Sequence, residues 1–199
     1  MVRFNDFFQR PGTIGRDQFL SRLFGIFSEE VVREWCRLPD SPYDDIGRPH
    51  LTRAGERYGH TLDFTLRDRT TGELFVAELK CELQFEGYRY LRLTTAQQVQ
   101  HHANGAAFAK LLAIAKDPTS VDVRVGGRAA DIAGAVLVWG SVAPEGRSAA
   151  LNKYGFRDVL ALEEMLPALH QARPATWAAR VEALRDWSGE LWDMMLPPP

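Results

Sequence analysis

Three charged residues interrupt two apolar, strand-like runs of this chain. Asp63 falls within Thr61-Leu62-Asp63-Phe64, and Glu78 and Lys80 fall within Ala77-Glu78-Leu79-Lys80. Buried charge costs several kcal/mol unless it is paired, hydrogen-bonded or bound to a metal. Two facing carboxylates repel each other unless a cation lies between them. A hard divalent ion such as Mg²⁺ is held by one or two carboxylates, with waters and substrate phosphate completing its shell. An adjacent lysine ammonium stabilises charge on a phosphate, or orients or deprotonates an attacking water. The metal acidifies that water and acts as a Lewis acid on phosphorus. Such a set is suited to metal-assisted hydrolysis of a phosphodiester.

The elements that must position these residues follow from strand periodicity. Leu62, Phe64 and Leu66 alternate on one face of the first run, which assigns Asp63 to the other. In the second run Phe75, Ala77, Leu79 and Cys81 alternate against Val76, Glu78, Lys80 and Glu82, so Glu78 and Lys80 are neighbours on one face. The polar stretch Arg67-Asp68-Arg69-Thr70-Thr71-Gly72-Glu73 reads as a hairpin connection. With Thr70-Thr71 as a two-residue loop, paired residue numbers sum to 141 and Asp63 lies opposite Glu78. A loop one or two residues longer moves the partner to Leu79 or Lys80. Each alternative brings one aspartate, one glutamate and one lysine together.

Asp63, a spacer and then Glu78-Leu79-Lys80 on the next strand resembles the motif of the PD-(D/E)XK, or restriction-endonuclease-like, nuclease superfamily; Leu62 stands in place of the family's proline, which is often missing. The resemblance spans roughly residues 16–140. It implies an α/β fold: a mixed central sheet whose hairpin carries the site, flanked by helices, with further helices at the C-terminal end. It also implies that Asp63 and Glu78 are metal ligands, joined by the backbone carbonyl of Leu79, and that Lys80 is the catalytic group. The implied cofactor is Mg²⁺ or Mn²⁺, and the implied substrate is DNA, with RNA as an alternative. Many members add an acid from the preceding helix. Phe19, Leu20, Leu23, Phe24, Phe27, Val31 and Trp35 recur here at helical spacing. Glu34 falls within that apolar arc, Glu30 lies on its edge, and Glu56 is a competing third acid.

Beyond the hairpin, Phe85-Glu86-Gly87-Tyr88-Arg89-Tyr90-Leu91-Arg92 interleaves aromatic residues with arginines. Tyr88, Arg89 and Arg92 thereby become candidates for a nucleic-acid groove. Thr94-Thr95 with Gln97-Gln98 forms a capping box that opens a helix to about Lys116. Gln98 and His102 share one face of that helix, and Gln97 and His101 share another; Gln98 is carried as a nucleic-acid contact. Adjacent His101 and His102 diverge too far to serve as joint metal ligands. The run Pro39-Asp40-Ser41-Pro42-Tyr43-Asp44-Asp45 reads as a loop. Ile132 to Val142 reads as a buried central strand, Val159-Leu160-Ala161-Leu162 as an edge strand, and Glu163 to about Ala172 as a helix. Residues 1–172 thus form the nuclease-like domain. Residues 173–199 form a helix from Pro174, packed on the core or in a homodimer interface, and a disordered Pro197-Pro198-Pro199 tail.

Other chemistries lack their residues. Cys36 and Cys81 are isolated, and there is no zinc-ligand spacing, no Gly-X-Ser-X-Gly elbow and no Walker loop. With 45% hydrophobic and 25% charged residues, 199 residues suffice for a good core. A net charge of −2 is not that of a passive DNA-coating protein, so local arginines would have to offset the phosphates. No apolar run approaches the roughly 20 residues of a membrane span, the first residues lack a signal-like apolar segment, and two free cysteines suit a reducing cytoplasm. A metal-dependent nuclease is the leading expectation. A catalytically inactive module of the same fold, binding nucleic acid or protein, is the alternative.

Overall fold

The structure, a computed structural model, describes residues 18–80, 92–172 and 174–194. The chain is a mixed α/β protein whose organising element is the most apolar stretch, β9 (Gly134–Trp139), buried at every position. A strand buried on both faces must be central, and its neighbours must be covered by helices. β9 pairs in parallel with β5 (Leu74–Lys80) on one side and with β11 (Asp158–Ala161) on the other. β5 pairs antiparallel with β4 (Phe64–Asp68), and β4 with β1 (Tyr43–Asp45), so the sheet order is β1-β4-β5-β9-β11.

The β4–β5 register is the first of the three that the sequence allows: Phe64 lies opposite Ala77, and Arg67 opposite Leu74. The turn is wider than two residues. Asp68 N–H bonds Glu73 O at 2.9 Å, Gly72 N–H bonds Asp68 O at 2.8 Å, and Gly72 takes φ +76°. Because the loop grows symmetrically, the register is unchanged. Arg69 in this turn donates to the carbonyls of Cys36, Leu38 and Pro39, at 2.7–2.8 Å. It thereby satisfies the open end of helix α1 (Gln18–Cys36) and fixes that helix to the hairpin.

Two apolar layers enclose the sheet. Phe64, Leu66, Phe75, Ala77, Leu79, Val136, Val138 and Leu160 pack against Val31 and Val32 of α1 and Met165 and Leu169 of α5 (Leu162–Ala172). On the other face Val76, Leu137, Trp139 and Val159 pack against Phe108, Leu111 and Ile114 of α3 (Ala106–Lys116) and Ala150 and Tyr154 of α4 (Pro144–Tyr154).

Several expectations are corrected. Leu62 does not share a face with Phe64: the chain bends at Asp63, and Leu62 joins the layer of Val76. The expected helix to Lys116 is divided into α2 (Ala96–Gln100) and α3: α2 ends at the cap His101, residues 101–104 form a turn, and Gly105 caps α3. Residues 43–45 of the expected loop are β1, with Tyr43 buried against Phe75. Within the expected α1 stripe, Leu23 and Phe27 are exposed. Tyr88, Arg89 and Pro197-Pro198-Pro199 lie outside the described residues.

An unforeseen second sheet of β2 (Pro49–Thr52), β3 (His60–Thr61), β7 (Asp122–Val125) and β8 (Arg128–Ala129) runs in the order β3-β2-β7-β8. Its inner side chains Leu51 and Val123 join the α3 layer. A short parallel pair, β6 (Arg92–Leu93) with β10 (Ser141–Val142), follows the end of β9. The last helix, α6 (Ala175–Asp193), has no buried residue; Trp177 touches the α1–α5 layer and Arg180 reaches Glu30 at 2.7 Å. Among the described residues no helix is long and apolar enough to cross a membrane.

Leu137 lies opposite Glu78 and has no exposed surface. We expect Leu137→Ala to cost about 2–5 kcal/mol, read as a lower urea midpoint at unchanged m-value.

Candidate active site

The β4–β5 ladder ends at Phe64 and Ala77, and β5 continues three residues further. Its Glu78-Leu79-Lys80 edge meets the bend at Asp63, where the chain passes from the second sheet into the first. Leu62 N–H still bonds Pro49 O at 3.2 Å and Thr65 N–H bonds Gly47 O at 2.7 Å. Between them Asp63 belongs to neither ladder. Its backbone N–H donates to Glu78 Oε2 at 3.2 Å, and its Oδ2 accepts from Leu79 N–H at 2.9 Å. One side chain thus supplies the rung that the missing strand residue would have given. The two carboxylates are held together by backbone donors as well as by side-chain packing.

Cations flank the pair. Lys80 Nζ lies 2.7 Å from Glu78 Oε1 and 5.8 Å from the centre of the Phe108 ring. On the other side Arg48 donates to Asp63 Oδ1 and Leu62 O, each at 3.3 Å. Glu78 is buried, whereas Arg48 is half exposed. Burial first, and then the charge of Asp63, raise the Glu78 pKa to about 7, against the opposing pull of Lys80. Desolvation and like-charge repulsion therefore outweigh the ion pair.

Behind Lys80, His102 packs edge-on to Trp139 and Phe108, each at 5.6 Å between ring centres. Burial, then the charges of Lys80 and His101, lower its pKa to about 4, so the ring is neutral at ordinary pH.

The other candidate residues are placed elsewhere. Glu34 is buried but ion-paired to Arg37. Glu30 bonds Arg33 at 3.0 Å as well as Arg180, and Glu56 pairs with the buried Lys110 of α3. Among the described residues no group of three or more His, Cys, Asp or Glu side chains gathers as a metal site. Gln98 is buried; its Oε1 accepts from Thr94 N–H and Thr95 N–H at 2.7 and 2.9 Å, and its Nε2 donates to Arg92 O at 2.7 Å. It holds the β6–α2 corner in this arrangement. Arg92 is exposed at the start of β6.

Arg48 was not singled out from the sequence, because the strand whose pairing places it, β3, has only two residues. β2 and β3 pair with numbers summing to 111: His50 lies opposite Thr61, and Leu51 opposite His60. Continued outward, that register places Arg48 beside Asp63. No protein-family model, curated protein or solved structure matches this chain.

The oxygen set fits a hard divalent cation. Two carboxylates lie together, one driven by burial and repulsion to hold a proton, and Mg²⁺ typically takes only one or two carboxylates from its protein.

The pKa shifts give a pH signature. An unfolded glutamate titrates near ~4.3, so between there and about 7 the native state holds the extra proton and stability falls as pH rises. His102 has the opposite sign: between about 4 and its ordinary value the unfolded state holds the extra proton, so stability rises with pH. The stability difference between Glu78→Gln and wild type should therefore grow with pH across the first window. That between His102→Gln and wild type should shrink across the second. Urea unfolding at pH 4, 5, 6, 7 and 8 measures both.

Proposed function

We propose that this chain is a divalent-metal-dependent nuclease that hydrolyses phosphodiester bonds of DNA on a restriction-endonuclease-like core. One observation carries the reading. Asp63 and Glu78, fifteen residues apart, are joined through Asp63 N–H and Leu79 N–H, with the Lys80 ammonium 2.7 Å from Glu78. The order of antiparallel β1, β4 and β5 followed by parallel β9 and β11, with helices on both faces, supports the core assignment.

Asp63 and Glu78 would hold the cation, joined by the Leu79 carbonyl. When bound, the cation supplies Lewis-acid stabilisation of phosphate charge and makes water more acidic. The remaining roles belong to side chains already in place. Lys80 keeps its ammonium beside Glu78, where it orients the attacking water and faces the charge that develops on phosphate. Trp139, Phe108 and neutral His102 form an apolar wall on that side, which keeps Lys80 the local cation and limits water around it.

A second reading, an inactive module of the same fold, is favoured by a specific observation: Arg48 and Lys80 already give each carboxylate a protein cation. Fold alone does not confer activity. Incubation with supercoiled plasmid in Mg²⁺ or in EDTA separates the two. The nuclease reading expects Mg²⁺-dependent nicking or linearisation that is lost in Asp63→Asn. Inert wild-type protein across DNA forms supports the module.

Lys80→Ala should lower the cleavage rate by about 10²-fold or more, while Mg²⁺ affinity measured by calorimetry stays within a few-fold of wild type. Equal losses of rate and metal affinity would assign Lys80 a structural role.

A further inference from the structure

The chain carries a net charge of −2, yet the stretches that build the second sheet are basic. Residues 48–61 and 122–129 hold five arginines, Arg48, Arg53, Arg57, Arg124 and Arg128, against two acids, Glu56 and Asp122. The strand pattern divides them: exposed Asp122 shares the face of Arg124, and Arg128, opposite Val125, has the other parity. Pro49, Leu51 and Val123 point inward and are buried, whereas His50 and Arg124 are exposed and lie directly opposite each other. Arg48 has the same parity as His50, so the outward face begins at the guanidinium that touches Asp63.

The far end of that face is the loop from Arg53 to Gly59. Glu56 in this loop pairs with Lys110, which also donates to Leu51 O at 3.2 Å. The loop's one acid is thereby neutralised by a lysine of the core, and the loop is anchored to α3. Gly59 packs against the outward His50: a Cβ there would meet the His50 ring and lie 2.7 Å from Leu51 O. Arg53, Arg57 and Tyr58 project from this base. Tyr58 is 72% exposed, and the Arg57 guanidinium lies 5.2 Å from the centre of its ring. An exposed aromatic ring stacked with an arginine, on an anchored loop that also presents a second arginine, suits a polyanion that has base or sugar faces.

We propose that the outward face of the β3-β2-β7-β8 sheet is the platform that holds the DNA backbone. Arg48 takes the phosphate next to the site, and Arg53, Arg57 and Tyr58 grip the same molecule at the far hairpin. This rests on the nuclease reading for its choice of substrate, but not on catalysis. Charge complementarity favours a phosphodiester chain, and the platform is continuous with the site through the Arg48–Asp63 contact. The span also fits. Five extended residues from Arg48 to Arg53 cover about 16 Å, the rise of about five nucleotides along one strand of a duplex.

The test uses fluorescence anisotropy with a labelled DNA duplex of about 20 base pairs, in EDTA, over a series of salt concentrations. Arg53→Gln/Arg57→Gln should weaken binding at least ~10-fold and reduce the slope of log affinity against log salt by about two. Tyr58→Ala should weaken binding with the salt slope unchanged. Arg185→Gln, on the exposed face of α6, should leave both unchanged. Thermal melting and calorimetric Mg²⁺ affinity should match wild type in all three, since none of these residues touches the carboxylate pair. Unchanged affinity and slope in the double variant, or no duplex binding by wild type, would overturn the platform. Loss of DNA affinity in the double variant of a protein that neither binds Mg²⁺ nor cuts would keep the platform and reject the nuclease. Metal-dependent cutting with a silent double variant would do the reverse.

Discussion

The architecture around the site depends on keeping two carboxylates together where a β-ladder stops. β4 begins at Phe64, opposite Ala77, so Glu78, Leu79 and Lys80 have no β4 partner and the end of β5 would expose unpaired backbone. Asp63 fills that gap by accepting from Leu79 N–H and donating its own N–H to Glu78. The arrangement satisfies the backbone but concentrates negative charge against a buried glutamate. Lys80 and Arg48 offset part of that charge, while burial and then the charge of Asp63 still raise the proton affinity of Glu78. Buried polar clusters of this kind are costly unless every member is satisfied. A stability role alone would be met more cheaply by apolar side chains of similar volume.

The surrounding elements hold this corner rigidly. Arg69 links the hairpin turn to the end of α1, so β4 and β5 are fixed at the end remote from the site. Lys110 links the second sheet to α3, and Gln98 links β6 to the start of α2. Between these ties lie two dry layers of aliphatic and aromatic side chains. The chain therefore reaches Asp63 from a fixed direction, and the flanking residues Leu62 and Phe64 are committed to opposite layers. That split is what turns Asp63 toward Glu78.

Much of this was legible because β-periodicity is strict. The 141 register needed only a symmetric turn, and it holds whether the loop has two residues or four. The apolar run of β9 and the edge position of β11 were equally plain. What the sequence concealed came from shorter signals. A turn from His101 to the cap Gly105 interrupts the expected helix, and the two-residue strand β3 was too short to show alternation. Without β3, the pairing that brings Arg48 to Asp63 could not be seen, nor could the basic face beside it. Glu34 satisfied the helical geometry expected of a third acid, but position within a helical arc does not specify the partner, and Arg37 one turn later takes its carboxylate.

The account stands on Asp63 and Glu78 forming one cation site. Isothermal titration of Mg²⁺ and Mn²⁺ into the wild-type chain and into Asp63→Asn tests that claim most directly. The account predicts saturable binding at a single site in wild type and its loss in a variant that melts at or above the wild-type temperature. Absence of binding in wild type, or equal binding in a folded Asp63→Asn, would contradict it and leave Lys80 and Arg48 as the cations for which the pair was built.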